Sequence, residues 1–144
     1  MHLRYHDGMG LDLQQREREG IVILDMKGRV TLGQEASTLR DMVERLDTQD
    51  KKRLILNMAQ VDYVDSSGLG TLVMVSSNLK KRGGAVKLLN LNRRNVELLV
   101  MTKLATIFEI FSDEQDAINS FFPDRELKQF DLLSFVRQLK EEEQ

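Results

Sequence analysis

Two adjacent serines beside a glycine form the segment of this chain that is best suited to carry chemistry. Ser66 and Ser67 lie between Asp65 and Gly68, where an apolar strand pattern changes into a helical one. The start of a helix has unpaired backbone N–H groups and a partial positive charge, so it tolerates or stabilises an anion. The segment is therefore suited to carry a phosphate on a serine hydroxyl. Serine is also a favoured N-cap, and capping alone would explain a serine here.

Residues for covalent or metal catalysis are scarce. The chain has no cysteine, which excludes disulfides, thiolate metal sites and cysteine nucleophiles. Its histidines are His2 and His6, and a polar terminal segment is a poor source of the rigidly held imidazole of a Ser-His-Asp hydrolase. A nucleotide hydrolase stays open as an alternative, because a glycine-flanked helix start could hold phosphate. The sequence has neither the phosphate-loop motif of such enzymes nor a clear acidic metal pair. We expect no catalysis, metal or cofactor.

The periodicity predicts strands that alternate with helices. Apolar runs predict strands over residues 11–17, 21–27, 54–58, 86–90 and 107–111. Apolar residues three and four positions apart predict helices over residues 36–46, 68–82, 93–101 and 113–122. This alternation is typical of an α/β sheet joined mostly by crossover connections. Asn92 and Ser112 are expected N-caps, the second in a capping box with Gln115.

The chain divides into one domain with an extension at each end. Pro123 disfavours helical conformation at Phe122 and is expected to close the domain. This predicts a domain over residues 11–122, between an N-terminal extension of residues 1–10 and a C-terminal helical extension of residues 123–144. The C-terminal extension has two apolar sectors on a helical wheel. Either both sectors pack on this domain, or one binds another protein or a second copy in a homodimer.

Charge and hydropathy restrict the partners and the location. The formal net charge is −2, with both signs scattered along the chain. The sequence therefore lacks the basic footprint of a nucleic-acid-binding protein. No stretch resembles a signal peptide, and no run of about 20 apolar residues could span a membrane. We expect a cytoplasmic protein with no direct nucleic-acid or membrane binding.

The order and spacing of the motifs closely resemble those of the STAS domain family, and in particular its anti-sigma factor antagonists. The likeness runs from about Gly20 to Phe122. Its motifs are a glycine turn, the Asp-Ser-Ser-Gly-Leu-Gly helix start, a Gly-Gly turn and a last strand with its helix, at residues 28–30, 65–70, 83–84 and 101–118. The resemblance implies a single STAS-like α/β domain with a central mixed β-sheet flanked by helices, here with an extra C-terminal helix.

The resemblance also implies a modification site. In the family the second serine of the pair is phosphorylated, which is Ser67 here, with Ser66 as its competitor. The residues expected around this site are Asp62, Asp65, Gly68 and Gly70. Many relatives carry an aspartate soon after the glycine turn that is thought to contact the partner, whereas this chain has Thr31. A neutral hydroxyl cannot supply that charge, which leaves the strength of kinase binding and the choice of kinase open.

The same resemblance implies a partner switch. The unmodified protein would bind an anti-sigma factor that is also a serine kinase, and so release the sigma factor. Phosphorylation of Ser67 would end this binding, and a serine phosphatase would restore it. The contact surface is expected at Thr31 and on the outer side of the helix that starts near Gly68, at Thr71, Met74, Asn78 and Lys81. The alternative is a non-phosphorylated accessory subunit of a lipid-transport or signalling assembly.

Overall fold

Strands and helices alternate along the chain, as the periodicity predicts. The computed structural model describes residues 3–6 and 10–125. In chain order the elements are β1 (Leu3–His6), β2 (Leu11–Arg18), β3 (Ile21–Val30), α1 (Gln34–Thr48), β4 (Arg53–Val64), α2 (Ser66–Lys81), β5 (Ala85–Leu89), α3 (Arg93–Met101), β6 (Ile110–Phe111) and α4 (Glu114–Asn119). Within the described residues the strands form one sheet in the order β1-β2-β3-β4-β5-β6. The first two pairs are antiparallel and the others parallel, which confirms the predicted mixed α/β fold.

The apolar run of β3 is buried on both faces of the sheet. Val22 and Leu24 belong to the larger core cluster, together with residues of α1, α2 and α3. Ile21 and Ile23 belong to a smaller cluster with Ile118 of α4. Alternate residues of a strand face opposite sides of its sheet, so α1–α3 cover one face and α4 covers part of the other. Burial on both faces explains why this strand is a continuous apolar run.

β4 is longer than the sequence pattern predicts. The pattern predicts a strand over residues 54–58, but β4 continues to Val64. Val61 and Val64 are buried, and the continuation pairs with β3 through register shifts. A bulge interrupts the alternation of inward and outward residues, which hides this continuation from a periodicity argument. The longer strand leads directly to Asp65, at the carboxyl edge of the sheet.

The last strand is shorter than predicted. Residues 107–111 are predicted as a strand, but only Ile110 and Phe111 pair with β5. Ile107 is half exposed, and its backbone N–H donates to the carbonyl of Leu104 at 3.0 Å in a turn. The apolar residues that precede β6 therefore belong to the approach to the strand.

One of the predicted helix caps is confirmed and one is wrong. Asn92 is the N-cap of α3, as predicted, and its side chain accepts from a first-turn N–H. The N-cap of α4 is Asp113 rather than Ser112, and its Oδ2 accepts from the N–H of Asp116 at 2.9 Å. The predicted capping box is therefore absent, because the adjacent carboxylate occupies the capping position. The side chain of Gln115 bonds to other groups instead.

The structure describes part of each predicted extension. Within the predicted N-terminal extension, β1 adds a strand to the sheet by pairing with β2, with His6 opposite Asp12. The sequence pattern does not predict this strand. At the other end α4 stops at Asn119, three residues before the predicted end of this helix at residue 122. Of the predicted C-terminal helical extension over residues 123–144, residues 123–125 form a turn. The rest of the extension, on which the predicted homodimer depends, lies outside the described residues.

Candidate functional site: the start of helix α2

The junction between β4 and α2 places both serines in the first helical turn. Asp65 alone separates Val64, which ends β4, from Ser66, which begins α2. Asp65 is the N-cap, and its Oδ1 accepts from the backbone N–H of Gly68 at 2.7 Å. The helix therefore begins at Ser66, two residues before the predicted start near Gly68. The capping function, which could have explained a serine, belongs to Asp65, and both Ser66 and Ser67 are exposed helical residues.

The two serine hydroxyls at the start of α2 are exposed. Among the described residues, the side chains of Ser66 and Ser67 accept or donate no hydrogen bond. The carbonyl of Asp65 accepts from the N–H of Leu69 at 2.8 Å, while its carboxylate takes the N–H of Gly68. The first-turn N–H groups of the serines are left to water or to an anion. An exposed hydroxyl beside such groups can receive a phosphoryl group without loss of an internal contact.

The two glycines of the motif have different surroundings. A Cβ atom on Gly68 would lie 1.9 Å from the backbone oxygen of Val30, so only glycine fits where α2 crosses the end of β3. A Cβ atom on Gly70 would have no atom within 4 Å. Gly68 is therefore required by close packing of backbone on backbone, whereas packing does not explain Gly70.

The loop between β3 and α1 is attached to the start of α2 through Asp65. The backbone N–H of Asp65 donates to the carbonyl of Val30 at 3.2 Å, and the N–H of Leu32 donates to Asp65 Oδ2 at 3.4 Å. The carboxylate thus bridges the loop and the helix. Neither the resemblance nor the periodicity singles out Leu32, whose side chain is 76% exposed.

Thr31, the residue that departs from the family pattern, makes a local hydrogen bond. Its Oγ1 donates to Glu35 Oε1 at 3.1 Å. Arg29 also donates to this oxygen, at 3.0 Å, and Glu35 is buried. The pKa of Glu35 is lowered, first by a hydrogen bond from its own backbone N–H and then by Arg29. Glu35 is thus an ionised but already paired carboxylate, and it does not replace the missing aspartate charge at the surface.

The outer side of α2 is exposed largely as predicted. Leu69, Leu72, Val75 and Leu79 are buried against the sheet and its neighbours. On the other side, Asn78 and Lys81 are exposed and Met74 is 37% exposed. Thr71 is only half-buried, and its hydroxyl donates to the carbonyl of Ser67 at 3.2 Å. This surface is therefore continuous along the helix from the serines to its C-terminal end.

Asp62 faces a different part of the carboxyl edge. It lines an open cleft of about 510 Å³ together with Gly10, Gly28, Arg29, Tyr63 and Arg94. The guanidinium of Arg94 lies over the ring of Tyr63, 4.8 Å from its centroid. The lining of this cleft therefore combines Asp62 with two arginines, and neither serine is part of it. These arginines come from β3 and α3, which no local motif connects to the serines.

A groove between α1 and α2 was also not predicted. It has a volume of about 520 Å³ and includes Asn78 and Lys81 in its lining. Near its end Arg82 pairs with Asp47 at 2.7 Å. Two residues of the predicted contact surface thus form one wall of this groove.

The described part of the chain has neither a group of metal-ligating side chains nor a helix that could span a membrane. Among residues 3–6 and 10–125, no three His, Cys, Asp or Glu side chains are grouped as a metal site. No helix in these ranges has the length and apolar character needed to cross a bilayer.

The fold and the site define a class of protein: a single α/β domain that presents an exposed serine at the start of a helix. The STAS domain model matches residues 12–117, and the chain belongs to that family.

The chain is similar to proteins named anti-sigma factor antagonists. The chain is 28% identical over 110 residues to the anti-sigma-B factor antagonist of Bacillus subtilis, covering 76% of this chain and 99% of the relative. It is 23% identical to the anti-sigma F factor antagonist of Paenibacillus polymyxa, covering 76% and 94%. Among solved structures, the Bacillus cell fate determinant SpoIIAA in its phosphorylated form aligns with a TM-score of 0.60 at 19% identity, covering 76% of this chain and 98% of that one.

Proposed function

We propose that this protein is an anti-sigma factor antagonist whose binding is switched by phosphorylation of Ser67. In the unmodified state it binds an anti-sigma factor that is also a serine kinase, and this binding releases the sigma factor. The kinase then modifies Ser67 and the complex separates, until a serine phosphatase removes the phosphate. The chain itself is a substrate and a competitor, without catalysis of its own.

One observation carries this proposal: Asp65 fills the N-cap, so Ser67 is not needed as a cap. Asp65 Oδ1 accepts from the N–H of Gly68 at 2.7 Å, while Ser67 is exposed in the first turn. A serine at a helix start would otherwise be explained by capping. The choice of Ser67 over Ser66 rests on the family resemblance, since both side chains are exposed.

A phosphate at Ser67 would change the charge of the contact surface more than its shape. It adds about −1.5 to −2 charges in the same helical turn as the Asp65 carboxylate. A partner that docks over α2 would have to desolvate this charge or approach it with its own acidic groups. A penalty of about 3 kcal/mol weakens affinity by more than a hundredfold, which is enough to separate a complex. The first-turn N–H groups favour the anion, so the fold should survive modification.

The contact surface would extend along the outer side of α2. Met74 provides an exposed apolar contact, and Asn78 and Lys81 provide polar ones. Thr31 contributes less than the aspartate of many relatives, because its hydroxyl is directed to Glu35. The partner of this chain is therefore expected to rely less on a charge at this loop.

The first test is intact-mass spectrometry with site mapping on the protein isolated from its own cells, during growth and under stress. A phosphate of about 80 Da on Ser67 that varies with condition would support the switch. If Ser67 stays unmodified under every condition, the phosphorylation switch is wrong and the accessory-subunit alternative becomes the better hypothesis.

The second test measures binding of substituted proteins to the kinase of the same cells that modifies Ser67. Ser67→Ala should bind constitutively, and Ser67→Asp should bind more than a hundredfold more weakly if the substituted charge acts like a phosphate. Ser66→Ala is the matched control and should behave as the wild type. Equal affinities for Ser67→Ala and Ser67→Asp would rule out the charge mechanism.

A further inference from the structure

Leu32 is one of the most exposed large apolar side chains in the described part of the molecule. It is 76% exposed, and only Met101, at 79%, is comparable. A single exposed leucine is ordinary on a protein surface, so exposure alone indicates nothing. The position of Leu32 is informative, because its backbone N–H is hydrogen-bonded to Asp65, the residue that caps α2.

The attachment involves both backbone and side chain. The N–H of Leu32 donates to Asp65 Oδ2 at 3.4 Å, and the other oxygen of this carboxylate accepts from Gly68 at 2.7 Å. The N–H of Asp65 donates to Val30 at 3.2 Å. Gly68 also packs against the carbonyl of Val30 so closely that no Cβ atom fits. The loop that carries Leu32 is therefore held beside the turn that carries Ser67.

We infer that Leu32 is an apolar anchor for the kinase that phosphorylates Ser67, and that Asp65 is the positioning residue that holds the anchor beside the serine. This inference rests on the proposed function. It adds a recognition element that belongs to this chain and lies outside the helix surface described above.

The geometry of phosphoryl transfer indicates that the kinase that modifies Ser67 also covers Leu32. The bond between Ser67 Oγ and the γ-phosphorus of ATP forms as the bond to the ADP oxygen breaks, and the hydroxyl proton passes to a base of the kinase. The kinase active site must therefore cover Ser67 within contact distance. A typical interface buries about 800 Å² per partner, a disc of about 16 Å radius. Leu32, one hydrogen bond from the residue that caps this turn, falls inside such a disc.

Met101 provides a matched control at a remote position. α3 begins at the carboxyl edge of the sheet, where the side chain of Asn92 donates to the carbonyl of Val61 at 2.9 Å. Met101 is the last residue of this nine-residue helix, which is about 13 Å long and leads away from that edge. Met101 is thus an equally exposed apolar side chain at the end of α3 that is farther from the carboxyl edge.

The experiment measures the initial rate of Ser67 phosphorylation in an extract of the protein's own cells, with labelled ATP and increasing concentrations of the full-length chain. Site mapping confines the readout to Ser67, and Ser67→Ala gives the background. The compared proteins are wild type, Leu32→Ser, Leu32→Met and Met101→Ser. Their folding is checked by circular dichroism and thermal unfolding.

We expect Leu32→Ser to raise the apparent KM at least tenfold with little change in the maximal rate, because the anchor contributes to binding and not to the transfer step. Leu32→Met should restore most of the affinity, and Met101→Ser should stay within twofold of wild type. Equal KM values for Leu32→Ser and Met101→Ser would overturn the anchor while the proposed function stands. If the wild-type chain is not labelled at Ser67, both the anchor and the proposed switch fail.

Asp65→Asn tests the positioning step. Asparagine is an equally good N-cap and can still accept from Gly68 through its oxygen, but its NH₂ group cannot accept from Leu32. We expect faster hydrogen exchange at the Leu32 amide and a KM that rises by part of the Leu32→Ser effect. An unchanged exchange rate at Leu32, or an unchanged KM with faster exchange, would show that Asp65 does not position the anchor.

Discussion

Two charged regions of this domain use their carboxylates in different ways. On the face of the sheet that α4 covers, Arg16 donates to Asp25 at 2.6 Å and also pairs with Glu114. Asn57 completes the group by donating to Asp25 at 2.8 Å. At the start of α2, Asp65 instead accepts from two backbone N–H groups, and the adjacent serine side chains are exposed.

The difference separates a region whose charged side chains are paired with one another from a region whose serine side chains are exposed. The α4-face network joins side chains that are far apart in sequence, and Arg16 reaches Glu114 across 98 positions. Such a network contributes to holding the fold together. At the start of α2, Gly68 and Asp65 hold the backbone, while the serine hydroxyls are exposed. Substitutions should therefore separate into those that change stability and those that change binding.

The largest expected effect lies in the backbone contact at the start of α2. Gly68→Ala should destabilise the domain by about 3 kcal/mol, because the new Cβ atom would lie 1.9 Å from the oxygen of Val30. Gly70→Ala is the matched control in open space and should stabilise α2 by up to about 1 kcal/mol. Urea unfolding of both variants measures the difference. Equal stabilities would mean that the contact between α2 and β3 yields easily.

The next effect breaks the α4-face network. Arg16→Ala should cost about 2 kcal/mol, because it leaves Asp25 partly buried without its cation and Glu114 with Arg18 alone. Arg40→Ala removes an exposed arginine whose oxygen partner on Asp41 is 4.0 Å away, and it should change stability by less than about 0.5 kcal/mol. Thermal unfolding distinguishes the two. A loss in Arg40→Ala as large as in Arg16→Ala would contradict the assignment of stability to this network.

A smaller effect is a pH dependence that originates in the same network. The pKa of Glu114 is lowered, chiefly because Arg16 donates to it. A carboxyl whose folded pKa is depressed stabilises the fold above its unfolded value of about 4.3, and this contribution is lost as the pH falls through the folded pKa. Glu114→Gln should therefore be less stable than wild type at pH 6, by about 1 kcal/mol or less. This difference should shrink at pH 3, as measured by denaturant unfolding at both values.

The smallest expected effect on stability is that of removing the serine hydroxyls at the start of α2. Ser67→Ala and Ser66→Ala should each change stability by less than about 0.5 kcal/mol, because neither side chain has a hydrogen-bond partner among the described residues. Calorimetric melting temperatures check this. A loss above 1 kcal/mol for Ser67→Ala would give the serine a structural role and weaken the proposal that it is kept for modification.

Most strands and helices can be predicted from patterns within a short segment of the sequence. The apolar run of β3 and the spacing of Leu69, Leu72 and Leu79 report burial directly, so most strands and helices are found near their predicted positions. The continuation of β4 to Val64 is not predicted, because register shifts interrupt the alternation of inward and outward side chains. The cap at Ser112 is wrong, because two neighbouring residues can both cap and the choice depends on backbone geometry.

The candidate site divides in the same way. Asp65 and the serines are found from one contiguous motif, whose order in the chain carries the resemblance. The role proposed for Leu32 depends on a hydrogen bond to a residue 33 positions away. No periodicity within either segment encodes that contact. The same holds for Arg29 and Arg94, which reach one cleft from β3 and α3.

The hydrogen bond between Leu32 and Asp65 has a consequence for which molecules can carry a signal. The two residues meet because β3 and β4 are parallel neighbours, so their carboxyl ends emerge at the same edge. An unfolded chain, or a peptide of residues 61–72, has the serines but not this juxtaposition. A kinase that binds both features would therefore modify an unfolded copy at least tenfold less efficiently at low concentration. The amount of modified protein would then report mainly on correctly folded molecules.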